Sequence, residues 1–382
     1  MSTSDRIPFS KSCANGSELE YLAEVVRSGQ LAGDGEFTRK AVTELERICG
    51  EKRILLTSSC SHSLDMAATL IDVGPGDEVI MPSYTFVSTA NAFVGRGATP
   101  VFVDIEPNTM NVDPGCIESA ITERTRAIVV VHYAGVAADM DEIGRIAKKH
   151  HLPIIEDAAQ AINSYHRQTH LGTLGDIGTF SFHSTKNVTS GGEGGAIVIN
   201  DDQYWDKARI IREKGTNRSE FWEGRVDKYT WIDWGSSYLM AEINAAFLAG
   251  QLEYIQQITQ HRLKVWDLYA DRLSKLADSE QIELPVLPSF AKHNAHIFWI
   301  KTKNRIVRSE LMNVLQLNGI SAPFHYVPLH SSPAGRRFGR FAGDDNWTSI
   351  EADRLLRLPL HQDVTETIAE HVADSVIEFL SK

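Results

Sequence analysis

The sequence predicts an α/β protein in which a mostly parallel central sheet, covered by helices on both faces, precedes a smaller C-terminal α+β domain. Three observations carry this. Short apolar runs alternate with helical patterns from residue 54 to residue 200. Those runs stop abruptly in small or polar residues, as buried parallel strands do. After about Glu253 the pattern changes to one long amphipathic helix followed by separated strands. A chain of 382 residues is long enough for two cores, placed at 1–250 and 251–382, with the N-terminal segment able to pack on the smaller domain.

In order along the chain, helical periodicity around Leu19, Leu22, Val25 and Val26 leads to a glycine-bearing loop at 28–35. Such a loop suits a ligand, a second subunit or a plain surface turn. A second amphipathic helix follows at 37–48. Residues 54–56 are a strand, and Thr57-Ser58-Ser59-Cys60-Ser61-His62 separates it from a helix at 63–71. Small hydroxyl residues there leave backbone donors at the positive end of a helix, an arrangement that seats a phosphate and also serves simple capping. After a strand ending at Pro82, Tyr84 and Phe86 are placed either to stack on a planar ring or to fill the core. Strands at 99–104, 127–131 and 154–155 alternate with helices at 117–121 and 141–150. The crevice of such a sheet lies at the carboxyl ends of its strands, and Asp104, His132, Tyr133, Asp157 and Ser181 all fall near such ends.

Residues 152–195 are the chemical centre. One apolar run stops at Glu156-Asp157. A second, 178–182, ends in a turn carrying Lys186 before the cluster Gly191-Gly192-Glu193-Gly194-Gly195. A lysine beside a buried strand end loses solvation, which favours its neutral amine and makes it nucleophilic toward an aldehyde. A carboxylate against the ring nitrogen and a lysine for the aldehyde are what pyridoxal phosphate requires. A capping Asp and a solvated loop Lys are the plainer alternative for the pair taken alone.

Residues 196–200 form a further strand. The polar stretch from Arg212 to Trp231 carries basic and aromatic groups suited to an anionic, ring-bearing substrate or to a surface loop. The helix bearing Ile243, Ala246, Phe247 and Leu252 is expected to bridge the domains. Beyond it come an amphipathic helix at 258–273, strands at 297–300 and 321–324, and helices at 308–317 and 368–380. His325, Tyr326 and His330 follow a strand of the second domain, whereas His150-His151 is a solvated helix end with no third ligand spaced to complete a metal site.

Composition excludes some classes. The chain is 42% hydrophobic and 23% charged, as in ordinary globular proteins, and 38 basic against 50 acidic residues leave −12, which disfavours nucleic acid or an anionic membrane as a partner. No apolar run approaches the roughly 18 residues needed to span a bilayer, and the first ten residues lack a signal-peptide pattern, so a cytoplasmic protein is expected. Cys13, Cys49, Cys60 and Cys116 are scattered and read as free thiols.

With Phe86, Asp157-Ala158-Ala159-Gln160, Ser181-Phe182-His183-Ser184-Thr185-Lys186 and the glycine cluster in place, nearly the whole chain resembles the DegT/DnrJ/EryC1/StrS family. That resemblance implies the pyridoxal-phosphate-dependent transferase fold type I, aspartate aminotransferase-like, and nucleotide-sugar aminotransferase activity in a homodimer with sites at the interface. It implies that Lys186 attaches to the cofactor aldehyde, Asp157 pairs with the ring nitrogen and Gln160 approaches the ring hydroxyl. Phe86 would stack on the ring, and Ser181 with the Cys60-Ser61 backbone would hold the phosphate. Many relatives carry Gly-Thr where this chain has Cys60-Ser61. Many also carry Asn where it has Ser237, the position that reaches the partner subunit's phosphate.

The stretches 131–136, 212–218, 227–231 and 235–240 further resemble family members of enterobacterial common antigen synthesis. Those enzymes transfer the amino group of L-glutamate to carbon 4 of dTDP-4-dehydro-6-deoxy-D-glucose, giving dTDP-4-amino-4,6-dideoxy-D-galactose. Arg218, Lys228, Tyr229, His325 and Tyr326 are the candidates for reading that substrate. The alternatives are an aminotransferase of different regio- or stereochemistry, a pyridoxamine-dependent sugar dehydratase, in which histidine replaces the lysine, and a non-catalytic regulator. Lys186 argues against the last two.

Overall fold

The computed structural model describes residues 6–14 and 16–381. Strands β1 (Arg53–Thr57), β2 (Glu78–Pro82), β3 (Thr99–Val103), β4 (Thr125–Val131) and β5 (Ile154–Asp157) come first. A short hairpin, β6 (Tyr165–His166) and β7 (Thr169–His170), precedes β8 (Ile177–Ser181) and β9 (Gly195–Ile199). The last third adds β10 (Ile282–Glu283), β11 (Ala291–Lys292), β12 (Phe298–Thr302), β13 (Arg340–Phe341) and β14 (Leu355–Leu358).

Eight of these form the main sheet in the order β1-β9-β8-β5-β4-β2-β3-β13. It is parallel from β8 to β13, while β9 runs antiparallel to both its neighbours. The apolar runs are continuous because both faces of the sheet are covered. Val79 and Met81 enter one hydrophobic cluster with Val129 and Ile155, while Ile80 between them enters another with Ile128, Val130 and Ile154. That is the two-residue alternation of a strand with two buried faces.

The covering helices follow their sequence signals. The Met140–His150 helix buries Met140, Ile143, Ile146 and Ala147, starts at Asp139, whose side chain accepts from the Glu142 N–H, and stops at His151 in the left-handed region. His150 there meets the Glu118 carboxylate at 3.3 Å. The Glu242–Glu253 helix packs against both N-terminal helices, Glu18–Ser28 and Glu36–Cys49, and its Ala245, Ala246, Leu248, Ala249 and Leu252 join a core with Leu56, Phe180 and Ala196. The glycine-bearing loop at 28–35 lies against its own chain, with Asp34 paired to Arg212 and Gly35 donating to Glu242.

The Ile255–Asp278 helix contributes Val265, Trp266, Tyr269 and Leu273 to a separate cluster with Phe298, Leu311, Leu356 and Val372. Residues 321–324, expected as a strand, form only a single bridge, Phe324 to Leu356. The strand paired along β12 is instead β14, whose four-residue run is too short to show a period. The C-terminal part also returns β13 to the edge of the main sheet beside β3, and Ile7 bridges to Ile320. No helix among the described residues is long and apolar enough to cross a membrane.

Candidate active site

Because β4, β5 and β8 are parallel, Val131, Asp157 and Ser181 end on one edge of the sheet, and the antiparallel β9 begins there, with Gly195 paired to both Ser181 and Thr57. A cavity of about 580 Å³ opens at this edge. Cys60, Ser61, Phe86, Asp157, Gln160, Ser181 and Lys186 line it from the sheet side; His325, Tyr326 and Arg357 line it from the opposite side; Phe9 and Ser10 close part of it.

Alternation along β5 sends its two carboxylates to opposite faces. Glu156 is fully buried and accepts from the N–H groups of Gly172, Leu174 and Gly175 and from His132 Nε2 at 2.8 Å. Burial would raise its pKa, but the His132 contact and these backbone donors hold it below the ordinary carboxylate range. It is a structural acid. Asp157 faces the cavity and is 6% exposed; its Oδ2 accepts from the Thr89 hydroxyl at 2.7 Å and its Oδ1 from the Ala159 N–H at 3.2 Å. Thr89 is in turn 2.8 Å from the Thr85 hydroxyl. Two donors on its remaining acceptor sites keep the carboxylate aimed.

Lys186 is half-buried by surface because it faces the cavity, yet it lies deep within the protein. Burial pulls its pKa below the usual lysine range; Cys60 and Asp157 oppose the shift and Arg357 adds to it. Its amine makes no hydrogen bond among the described residues, so nothing ties up the nucleophilic lone pair.

The Cys60–Leu70 helix points its N-terminus at the same space. Ser59 caps it by accepting from the His62 N–H at 3.1 Å, which leaves the Cys60 and Ser61 N–H groups without an acceptor. The Ser61 hydroxyl meets that of Ser88 at 2.7 Å. Glycine is required across the gap, at Gly195, where a Cβ would fall 2.4 Å from the Cys60 nitrogen. The close approach that relatives with Gly-Thr provide at the Cys60 position is therefore matched here by a glycine on the neighbouring strand. Burial pushes the Cys60 thiol up, so it stays protonated.

The far wall is aromatic. Gln160 accepts from the Ala134 N–H at 2.6 Å and donates to the Tyr326 hydroxyl at 3.2 Å. Tyr133 meets His325 Nδ1 at 3.1 Å, and Tyr84 donates to the His325 carbonyl. Burial raises the Tyr133 phenol to about 12 and depresses His325, so both are neutral near pH 7. The Phe86 ring is 55% exposed, 6.3 Å from that of Tyr326, and free to meet a planar ligand.

Not every candidate converges. Asp104 instead binds the N–H groups of Asn346, Trp347 and Thr348, and His132 pairs with Glu156 on the opposite face. His330 sits between Ser83 and Asp345, outside the cavity lining. Arg218 is tied to Glu213 at 2.9 Å, and with Lys228, Tyr229 and Ser237 it lies on an exposed segment that does not line the cavity of its own chain. Sequence reasoning also missed three residues. Thr89 and Gly195 act through contacts from other elements. Arg357 carried one signal, a charge inside an apolar run.

The DegT/DnrJ/EryC1/StrS aminotransferase family model matches residues 12–377. A pleiotropic regulatory protein of Geobacillus stearothermophilus is 34% identical, covering 94% of this chain and 94% of the relative. The spore coat polysaccharide biosynthesis protein SpsC of Bacillus subtilis is 30% identical, over 97% of this chain and 96% of its own. The solved structure of DesV from S. venezuelae, in complex with a ketimine intermediate, superposes with a TM-score of 0.87 at 32% identity, covering 96% of this chain and 95% of that one.

The residues present fit pyridoxal phosphate. A buried carboxylate suits a protonated ring nitrogen, an unpartnered lysine suits the aldehyde, and two acceptor-free amides at a helix N-terminus suit the phosphate. The chain belongs to the DegT/DnrJ/EryC1/StrS family of pyridoxal-phosphate-dependent sugar aminotransferases.

Proposed function

We propose that the protein transfers the amino group of L-glutamate to carbon 4 of dTDP-4-dehydro-6-deoxy-D-glucose, giving dTDP-4-amino-4,6-dideoxy-D-galactose and 2-oxoglutarate. It does so as a homodimer. The observation that carries the chemistry is the meeting of Lys186, Asp157 and the Cys60-Ser61 amides in one cavity. The sugar rests on the stretches 131–136, 212–218, 227–231 and 235–240. In the dimer, the exposed segment bearing Arg218, Lys228, Tyr229 and Ser237 serves the partner's site, where it meets the nucleotide and the phosphate. The polysaccharide role named for SpsC agrees with a sugar product.

When bound, pyridoxal phosphate supplies an aldehyde for amines and a ring that stores the electron pair of a deprotonated carbon. Lys186 holds the aldehyde at rest. Once glutamate displaces it, the freed Nζ takes the proton from the substrate α-carbon and returns it on the cofactor side, and in the second half-reaction it runs the same transfer in reverse onto sugar carbon 4. The low pKa imposed by burial keeps that amine able to accept a proton near neutral pH. Asp157, fixed by Thr89 and Ala159, keeps the ring nitrogen protonated while charge develops. Gln160 and Tyr326 fix the ring's edge, Phe86 covers its face, and Ser61 and Ser181 with the helix N-terminus hold the phosphate.

The test is an absorbance spectrum before and after glutamate, repeated with Lys186→Ala, followed by NMR of the product from the dTDP-4-keto sugar. The expected result is a visible band that glutamate bleaches, no lysine-linked band in Lys186→Ala, and a galacto-configured 4-amino product. A gluco or 3-amino product would overturn the substrate and leave the transaminase standing.

A further inference from the structure

Arg357 occupies the third position of β14, in the run Leu355-Leu356-Arg357-Leu358. Strand alternation sets Leu356 and Leu358 into the smaller core and turns Leu355 toward Tyr84 and Tyr133, so Arg357 shares that aromatic face and reaches the cavity that Lys186 lines. Its Nη2 donates to the Phe324 carbonyl at 3.1 Å, and its guanidinium carbon lies 4.3 Å from the centre of the Phe9 ring. Two contacts pin the group in one orientation.

Nothing balances its charge. Among the described residues Arg357 forms no ion pair with a carboxylate, its Nε is buried with no acceptor, and the groups it feels most are the phenols of Tyr133, Tyr326 and Tyr84. Burial raises all three phenols, so none is anionic at neutral pH. A guanidinium taken from water without a counter-charge is costly unless something compensates it. Arg262, the other arginine lining the cavity, is different: it donates to the carbonyls of Ala295 at 3.0 Å and His296 at 2.8 Å and props that turn.

We infer that Arg357 is the seat of a carboxylate of the amino donor. This rests on the aminotransferase reading above. Two sources of negative charge enter such a site, the donor's carboxylates and the diphosphate of the nucleotide sugar. The α-carboxylate is bonded directly to the carbon that loses its nitrogen, so its partner must stand beside the lysine. The diphosphate hangs from carbon 1, across the sugar ring from reacting carbon 4, so its partner stands toward the mouth. Arg357 is close enough to Lys186 to lower the pKa of its amine. A planar guanidinium also matches a carboxylate with two parallel hydrogen bonds. The same pinned group thus selects an amino acid as donor over an uncharged amine.

The experiment is calorimetric titration of the holoenzyme with glutarate, which has glutamate's two carboxylates but no amine to react, and separately with thymidine diphosphate. Wild type, Arg357→Ala and Arg357→Lys are compared, with the visible cofactor band confirming that each variant keeps its site. Glutarate should bind wild type and lose roughly a hundredfold in affinity in Arg357→Ala, with a smaller loss in Arg357→Lys and partial recovery on adding guanidinium ion. Thymidine diphosphate should bind all three alike. Equal glutarate affinity in wild type and Arg357→Ala, or no glutarate binding to wild type, overturns the assignment. A loss confined to thymidine diphosphate gives Arg357 to the nucleotide instead and also overturns it. A wild type that binds glutarate through Arg357 but ignores thymidine diphosphate removes the nucleotide-sugar substrate and leaves the carboxylate seat standing.

Discussion

The strand-end wall of the cavity and the exposed segment from Glu213 to Ser237 were equally rich in candidate residues, yet only one of them assembles within a single chain. Asp157, Ser181 and Gly195 are locked to neighbouring strands by backbone register, so their side chains converge with no help from loops. The segment is held by local contacts such as Arg218 to Glu213 and the Thr230 N–H to Asn217, and it leaves Trp222 71% and Trp231 78% exposed. Residues on sheet ends are placed by the fold itself, whereas residues on such a segment need a second surface to become a site.

The sharpest way to break this comparison is to disturb the wall at its acid. Asp157→Asn keeps the hydrogen-bonding shape but loses the charge, and turnover should fall on the order of 10³-fold. Thr89→Val removes only the supporting hydroxyl and should cost about tenfold at most. Steady-state rates of the two variants check the ranking, and equal losses would mean that Asp157 acts by geometry alone.

Next in size, Gly195→Ala forces a methyl toward the Cys60 amide and should destabilise the fold by about 2 kcal/mol while weakening cofactor retention. Urea unfolding and dialysis against cofactor-free buffer report the two effects separately.

Acid tests the scaffold behind the wall. His170 accepts from the Asn163 N–H at 2.8 Å and is held at about 4 by burial; His293, beside Trp266, is likewise near 4. Below the ordinary imidazole value the unfolded chain gains a proton that the folded one refuses, so stability is intact at pH 7 and falls as the pH drops toward 4. Each should cost about 2 kcal/mol by pH 5. Urea midpoints at pH 7 and pH 5 measure the sum, and His293→Leu should remove about half of the decline.

The smallest effect on monomer stability belongs to the segment. Trp222→Ser and Trp231→Ser should each change unfolding by under ~0.5 kcal/mol, since neither ring is packed in a core. If the segment serves a partner, the same changes should weaken self-association in sedimentation. A large loss of stability with unchanged association would undo the contrast drawn above.

Much of the site was legible because a parallel sheet converts linear order into position. Apolar runs that end in Asp157 and Ser181 had to deliver those residues to one edge, and the turn bearing Lys186 follows one of them. The same rule overreached at Asp104 and His132: it says where a strand ends but not which face the last side chain takes or which neighbour captures it. His325 and Tyr326 reached the cavity although 321–324 is not a strand, because the single bridge from Phe324 to Leu356 was enough to carry them there.

By itself the sequence determined the α/β layering, the strand-end location of the chemistry and the pairing of an acid with a lysine, since period and burial are local properties of the chain. Only the tertiary structure decided that Thr89 aims Asp157, that Gly195 clears the path to the helix N-terminus and that Arg357 faces the cavity without a counter-ion. Those contacts join residues 68, 135 and more than 150 positions apart. Nothing in the local pattern of either partner encodes them, because they arise when separately stable elements pack.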